Sequence, residues 1–183
     1  LMPAIARAAG GGAGLSIHYN LPTLGGGRWL VARALDRTNA TVIAASQYLA
    51  GQWNRPARVI YGGVEGPPPG WSRSAGTGPP RVGLIGRIAP RKGQREFVLA
   101  AAKLHQDWPD AEFLLCGDTL FGDPGAERYK EELLALAPAC VRALGWRENV
   151  YEVLRTLDVL VLPSAAEGGI PMVVLEAFAA GVP

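Results

Sequence analysis

Cysteine is nearly absent: Cys116 and Cys140 are the only two in 183 residues, both in apolar surroundings and neither in a Cys-x-x-Cys or Cys/His spacing. That excludes a disulfide framework and a cysteine-held metal, and buried reduced thiols in a cytosolic protein are expected. An excess of charge is missing too, with 18 basic residues against 16 acidic and a net charge of +2. A nucleic-acid binder concentrates basic residues on one face, so no nucleic-acid partner is expected. The longest basic cluster, residues 87–95, is local and interrupted by glycine and proline, which suits a small anion better than a polymer. No apolar run approaches the ~20 residues of a membrane-spanning helix. The opening Leu1-Met2-Pro3 lacks the charged-then-apolar order of a signal peptide. What remains is ordinary for a globular core, 49% hydrophobic and 19% charged, and too apolar for a disordered chain. The chain starts without a leading Met and stops at Gly181-Val182-Pro183, directly after an expected helix, so a piece of a longer chain is expected.

Glycine and proline crowd into residues 63–80, which begin Gly63-Val64-Glu65-Gly66-Pro67-Pro68-Pro69-Gly70. Proline lacks a donor and glycine lacks restraint, so neither helix nor ladder is expected there, and the stretch reads as an interdomain linker. Before it, residues 1–62 read as strand 15–18, a helix over 28–37 with Trp29, Leu30, Ala32 and Leu35 inward, strand 41–44, a helix capped by Ser46, and strand 58–61. After it, residues 81–183 alternate more clearly. Strands are expected at 81–85, 112–116, 141–144 and 159–162, and helices at 92–105 (with Phe97, Ala101 and Leu104 on one face), 126–136, 149–157 and from Pro171. Strands apolar throughout, separated by amphipathic helices, predict a parallel sheet covered on both faces. In such a doubly wound α/β domain, ligands bind beyond the carboxyl ends of the strands. The site is therefore expected in the loops 86–92, 117–124, 145–149 and 163–171.

The first of these loops reads Gly86-Arg87-Ile88-Ala89-Pro90-Arg91-Lys92-Gly93. An arginine at a strand end and a lysine at the start of a helix set two cations beside a positive helix terminus. That suits a diphosphate, because Arg grips two oxygens at once and Lys acts as a point charge. A pair of solvated charges on an ordinary turn is the plain alternative. The last loop, Pro163-Ser164-Ala165-Ala166-Glu167-Gly168-Gly169-Ile170, runs into a helix opened by Pro171. Its glycines let backbone N–H groups approach a ligand. Glu176 lies in an apolar stretch of that helix, an odd place for a charge unless something donates hydrogen bonds to it. A sugar diol would do so.

In order, Gly86-Arg87-x4-Lys92-Gly93, Leu114-Leu115-Cys116-Gly117-Asp118, Leu144-Gly145-Trp146-Arg147, Asp158-Val159-Leu160-Val161-Leu162-Pro163-Ser164 and Glu167 with Pro171-Met172-Val173-Val174-Leu175-Glu176-Ala177 resemble the donor domain of the GT-B fold, retaining, family 4 glycosyltransferases (glycosyl transferases group 1). Upstream, Ile17-His18, Ala44-Ala45-Ser46 and Val59-Ile60-Tyr61-Gly62-Gly63-Val64-Glu65 resemble the close of the acceptor domain and the hinge. The resemblance implies two incomplete Rossmann-like doubly wound domains: residues 1–62 on the acceptor side and 81–183 on the nucleotide-sugar donor side. It implies that Arg87 and Lys92 bind the donor diphosphate, that Glu176 holds the ribose hydroxyls, and that Glu167 lies near the transferred sugar. Gly168, Gly169 and Ile170 would face sugar and phosphate, His18 would reach the donor sugar from the acceptor side, and Trp146 and Arg147 would lie against the base. Two departures stand out. Eight residues separate Glu167 from Glu176 where the family has seven, and the helix register from Pro171 puts the extra residue in the Gly-Gly loop. The hinge also carries Tyr61 where Asn is common.

The activity implied is transfer of a hexose from a nucleoside-diphosphate sugar to a hydroxyl acceptor (sugar, polysaccharide or lipid-linked glycan) with retention. No metal and no cofactor beyond the donor are expected, in keeping with the lack of any Asp-x-Asp motif. The implied location is the cytoplasm, with any peripheral contact at the inner face of the membrane left to an amino-terminal half outside this chain. Two alternatives stay open: a non-catalytic nucleotide-binding Rossmann-like module, and another GT-B enzyme such as a sugar-nucleotide 2-epimerase or a phosphorylase.

Overall fold

The computed structural model describes residues 15–18, 33, 41–52, 56–74, 76, 78–119, 122–165, 167 and 169–183. They fall into two compact units, Leu1–Gly63 with Glu167–Pro171, and Val64–Ala166 with Met172–Pro183. In the first unit, β1 (Leu15–His18), β2 (Thr41–Ala44) and β3 (Ala57–Val59) form a parallel sheet in the order β1-β2-β3. Helix α1 (Gln47–Gly51) starts where Ser46 accepts a hydrogen bond from the Leu49 amide at 3.1 Å, as the capping position predicts. Its Leu49 is buried, as are Val42 and Ala44 of β2. β3 ends two residues earlier than its apolar run suggested. The Ile60 amide still bonds Ala44 O at 3.0 Å, but Ile60 and Tyr61 are exposed. The helix expected over 28–37 lies outside the described residues except for Arg33, which is helical and exposed.

The second unit is built on β4 (Arg81–Ile85), β5 (Glu112–Cys116), β6 (Val141–Gly145) and β7 (Val159–Leu160), all parallel, in the order β6-β5-β4-β7. Its helices are α2 (Gln94–Asp107), α3 (Pro124–Leu136), α4 (Val150–Leu154) and α5 (Met172–Ala179). Successive strand side chains point to opposite faces, and here both faces are apolar. Leu84, Phe113 and Leu115 pack with Phe97, Val98 and Ala101 of α2 and Leu133 of α3. Ile85, Leu114 and Cys116 pack on the other face with Val153 and Leu154 of α4 and Ala177 of α5. Burying each such Leu, Ile or Phe contributes about 1.5–3 kcal/mol. This is the doubly wound sheet that the continuous apolar strands predicted.

Several boundaries differ from the sequence expectation, each for a local reason. The helix expected from Lys92 is split into a 3-10 turn (Pro90–Lys92) and α2, because Gly93 between them sits at φ 77°, a left-handed conformation that ends one helix before the next begins. On α2 the buried stripe is Gln94, Phe97, Val98 and Ala101, whereas Leu104, expected inward, is 46% exposed. The β7 ladder is shorter than the apolar run 159–162, although the Val161 amide continues it with a 2.8 Å bond to Gly83 O. The amino termini of α3 and α4 follow their caps: Asp123 accepts from Gly125 N, and Asn149 from Tyr151 N.

The described residues of the proline- and glycine-rich stretch from 64 to 80 form no strand or helix, but side chains hold it to the second unit. Trp71 Nε1 donates to Tyr151 O at 3.1 Å and its ring meets Tyr151 edge-on at 6.2 Å. Arg73 donates to Gly181 O at 2.6 Å and to Leu157 O at 3.0 Å, and the Ser74 amide bonds Arg155 O at 2.9 Å. Arg155, Leu157 and Gly181 lie just past the carboxyl ends of α4 and α5, where carbonyls lack helical partners, whereas Tyr151 O also accepts from the Arg155 amide at 2.9 Å.

Candidate functional site

All four strands of the second unit run the same way, so their carboxyl ends share one edge, and the loops there carry most of the singled-out side chains. β5 and β7 lie on either side of β4, so the chain order reverses at β4 and β7, where a doubly wound sheet opens its binding crevice. The loops leaving β4 and β7 are joined at that point. The Ala165 amide donates to Arg91 O at 3.0 Å, and Gly93 packs so closely that a Cβ there would stand 2.3 Å from Pro163 O.

The loop after β4 is held from several directions. Gly86 N donates to Cys116 O at 2.9 Å, Ile88 N to Asp118 O at 3.0 Å, and Lys92 N to Ala89 O at 2.9 Å. Ile88 is 3% exposed and plugs the turn into the core. A Cβ on Gly117 would lie 1.9 Å from Gly86 O, so the ends of β4 and β5 meet where only glycine fits. Gln94, a residue that sequence reasoning passed over, is 0% exposed and turns back onto this loop, with Nε2 donating to Arg87 O at 2.7 Å and Oε1 accepting from Ala89 N at 3.4 Å. The only sequence hint was a polar residue next to a glycine at a helix start. Arg87 is half-buried, and among the described residues no carboxylate pairs with its guanidinium. Lys92 is likewise half-buried at the end of the 3-10 turn.

The loop after β5 begins at Gly117, with Asp118 paired to Lys130 at 2.5 Å. The hydrogen bond from Lys130 is the main cause holding the Asp118 carboxyl below its ordinary value, with the Thr119 amide second. The loop after β6 presents Trp146, 58% exposed, and Arg147, also exposed. Burial pushes the Cys116 thiol upward, and the nearby Arg147 charge partly offsets it.

Glu176 lies on α5, one residue before the buried Ala177, and is itself half-buried. Burial raises its pKa above the ordinary 4.5, and no described group donates a hydrogen bond to its carboxylate. A half-buried carboxylate without donors is destabilised until something supplies them. Glu167, Gly169 and Ile170 belong to the first unit, where a Cβ on Gly169 would sit 3.3 Å from Ala45 Cβ and O, a tight contact that would need its neighbour to give slightly. Ile170 is exposed and Glu167 half-buried. His18 ends β1, but its side chain lies outside the described residues, as does Gly168. Thus Arg87, Lys92, Trp146 and Arg147 follow strand ends at one edge of one sheet, and Glu176 stands on the helix that follows its last loop. His18, Glu167, Gly169 and Ile170 are in the other unit.

Among solved structures, HepE of Anabaena, crystallised in complex with UDP and glucose, superposes with a TM-score of 0.77 at 23% identity, covering 97% of this chain and 53% of that one. WaaG, a glycosyltransferase involved in lipopolysaccharide biosynthesis, superposes with a TM-score of 0.67 at 16% identity, covering 92% and 55%. These likenesses show the fold, which is GT-B. Curated relatives include the UDP-Gal:alpha-D-GlcNAc-diphosphoundecaprenol alpha-1,3-galactosyltransferase of Escherichia coli, 31% identical over 102 residues, and the 2-deoxystreptamine N-acetyl-D-glucosaminyltransferase of Streptomyces fradiae, 40% identical over 114. The matches take in 55% and 58% of this chain but only 26% and 25% of those proteins, so the chain spans about a quarter of the length of the curated relatives it matches. The family model for glycosyl transferases group 1 matches residues 79–183, more than half of the chain. The protein belongs to the glycosyl transferases group 1 family.

Proposed function

We propose that the full-length protein transfers a hexose from a nucleoside-diphosphate sugar to a hydroxyl acceptor with retention at the anomeric carbon, without a divalent metal. The observation that carries this reading is the switch-point edge of the second sheet, where the Arg87 and Lys92 loop and the loop leading to Glu176 are clasped together. Departure of the nucleotide puts negative charge on the diphosphate. Arg87, Lys92 and the start of α2 supply positive charge in the place a metal would otherwise take, and they act more strongly as that charge develops than before it. Glu176 accepts hydrogen bonds from the ribose diol, which gives its half-buried carboxylate the donors the protein does not. Trp146 and Arg147 lie against the base, and His18, Glu167 and residues 168–170 face the sugar. Attack by the acceptor on the face the nucleotide leaves accounts for retention without a protein nucleophile. UDP or UDP-glucose in the HepE crystals, and a lipid-linked sugar and an aminocyclitol as acceptors in the curated relatives' names, support this class of donor and a hydroxyl acceptor.

The test is Arg87→Ala in the full-length enzyme, assayed with UDP-, GDP- and ADP-sugars with and without chelator. Loss of the guanidinium is expected to cost ~3–4 kcal/mol of transition-state stabilisation, roughly 10²–10³ in kcat. Turnover undiminished in that variant removes the diphosphate role from Arg87. Turnover abolished by chelator removes the metal-free mechanism.

A further inference from the structure

We infer that Gln94 is a positioning residue for the diphosphate end of the donor, acting through the backbone of Arg87, an inference that rests on the glycosyl-transfer reading above. Among the described residues it is the one fully buried polar side chain, at 0% exposure. A buried amide is costly unless both its ends are bonded, and both ends of this one go to the same turn. The 2.7 Å bond to Arg87 O and the 3.4 Å bond from Ala89 N bracket Ile88, whose own amide is held by Asp118 O at 3.0 Å and whose side chain is in the core. Residues 87, 88 and 89 are therefore fixed one after another, and at residue 87 only the side chain keeps its freedom.

Filling space does not require this chemistry. A leucine or methionine at the first turn of α2 would pack against the same core, but would strand Arg87 O and Ala89 N without partners. A glutamate would keep the acceptor for Ala89 N and lose the donor for Arg87 O. Glutamine alone among residues of that length offers one donor and one acceptor in the arrangement the turn needs. Charge stabilisation depends on cations being aimed before the charge develops, so a residue that fixes the Cα of Arg87 sharpens diphosphate binding without touching the ligand.

A purely structural role would lower stability but leave ligand preference alone, and the experiment separates the two. The full-length protein and its Gln94→Met variant are titrated calorimetrically with UDP, GDP and ADP and with the matching nucleosides, with folding followed by thermal melting. Wild type is expected to bind one diphosphate well above its nucleoside. In Gln94→Met the diphosphate-to-nucleoside affinity ratio is expected to fall about tenfold or more, the scale of a small misplacement of a binding group, with nucleoside affinity within about twofold of wild type. Gln94→Glu, which preserves shape, serves the same comparison if the methionine variant does not fold. An unchanged ratio in a folded variant, or failure of both variants to fold, overturns the positioning role alone. A wild-type chain that binds no diphosphate above its nucleoside overturns the glycosyl-transfer reading itself.

Discussion

The backbone from Gly86 to Lys92 is tied through Gly86, Arg87, Ile88, Ala89 and Lys92, whereas the Glu176 carboxylate on α5 is half-buried with no described donor. Both places carry a charge proposed to meet the same nucleotide, yet the protein completes one and leaves the other unfinished. Cations aimed at a charge that appears only during reaction must be held beforehand, because reorganising them later would add to the barrier. A carboxylate that meets neutral hydroxyls has no such need, and leaving it short of donors makes the ligand the best partner available to it. The contrast is between preorganisation at the diphosphate and deliberate incompleteness at the ribose.

The largest expected effect comes from attacking the completed end. Gly93 stands at φ +77°, and a Cβ there would lie 2.3 Å from Pro163 O, a backbone atom that cannot rotate away. Gly93→Ala therefore forces both a left-handed alanine and a collision in the junction of the two loops. The expected loss is about 3 kcal/mol or more, which for a chain of this size lowers Tm by roughly 6–12 °C. Thermal melting of the variant measures it. A loss below about 1 kcal/mol would mean that the loops slide apart easily, and the contrast between a fixed and an unfinished end would disappear.

How much of this was legible beforehand follows from where each constraint originates. β4 and β5 were readable to the residue, since runs such as Val82-Gly83-Leu84-Ile85 and Phe113-Leu114-Leu115-Cys116 are apolar on both faces and stop at glycine. That Arg87 and Lys92 would follow a strand end came with the β4 boundary, and that Trp146 and Arg147 would do so came with the end of β6. The break at Gly93 was not readable, because a glycine after Lys92 does not by itself announce a left-handed φ, and the tight approach to Pro163 comes from another loop. The burial of Gln94 was hidden for a similar reason: a polar residue beginning a helix looks solvent-facing until the preceding turn folds back over it. Proline and glycine in 64–74 announced the lack of a ladder, but said nothing of Trp71, Arg73 and Ser74 donating to carbonyls of α4 and its neighbours. Periodicity overreached once, at Leu104, where the buried stripe of Phe97, Val98 and Ala101 continues instead at the half-buried His105.

The unfinished end gives the next prediction, smaller in stability but opposite in sign. Burial raises the Glu176 pKa in the fold above its ordinary 4.5, so the fold favours the protonated form. Its contribution to stability is present below the ordinary glutamate value and is lost as pH rises through the raised one. Glu176→Gln removes the charge and is expected to raise Tm at pH 7 by roughly 1–3 °C, with the difference vanishing at acid pH. The same variant is expected to bind the donor nucleotide about tenfold to hundredfold more weakly, through loss of charge-assisted hydrogen bonds. Wild-type affinity should fall as pH drops through the raised pKa. Melting curves and nucleotide titrations at matched pH give both readings. A variant less stable than wild type at pH 7 would show the carboxylate already satisfied.

The smallest expected effect sharpens the boundary of the completed end. Asp118 lends its backbone carbonyl to Ile88 N, yet its side chain faces outward to Lys130 at 2.5 Å. If the cation loop is held by backbone and by Gln94, the outer ion pair should contribute little to it. The Asp118 pKa is lowered chiefly by the Lys130 hydrogen bond, so its stabilisation is present above the ordinary aspartate value and is lost as pH falls through the lowered one. Lys130→Met is therefore expected to cost about 0.5 kcal/mol at pH 7, less at high salt, and nothing once Asp118 is protonated. Its diphosphate-to-nucleoside affinity ratio should match wild type, because neither the Asp118 carbonyl nor Gln94 depends on that ammonium. A tenfold fall in the ratio would place part of the aiming of Arg87 in a surface pair, and the fixed end of the site would then extend to the middle of α3.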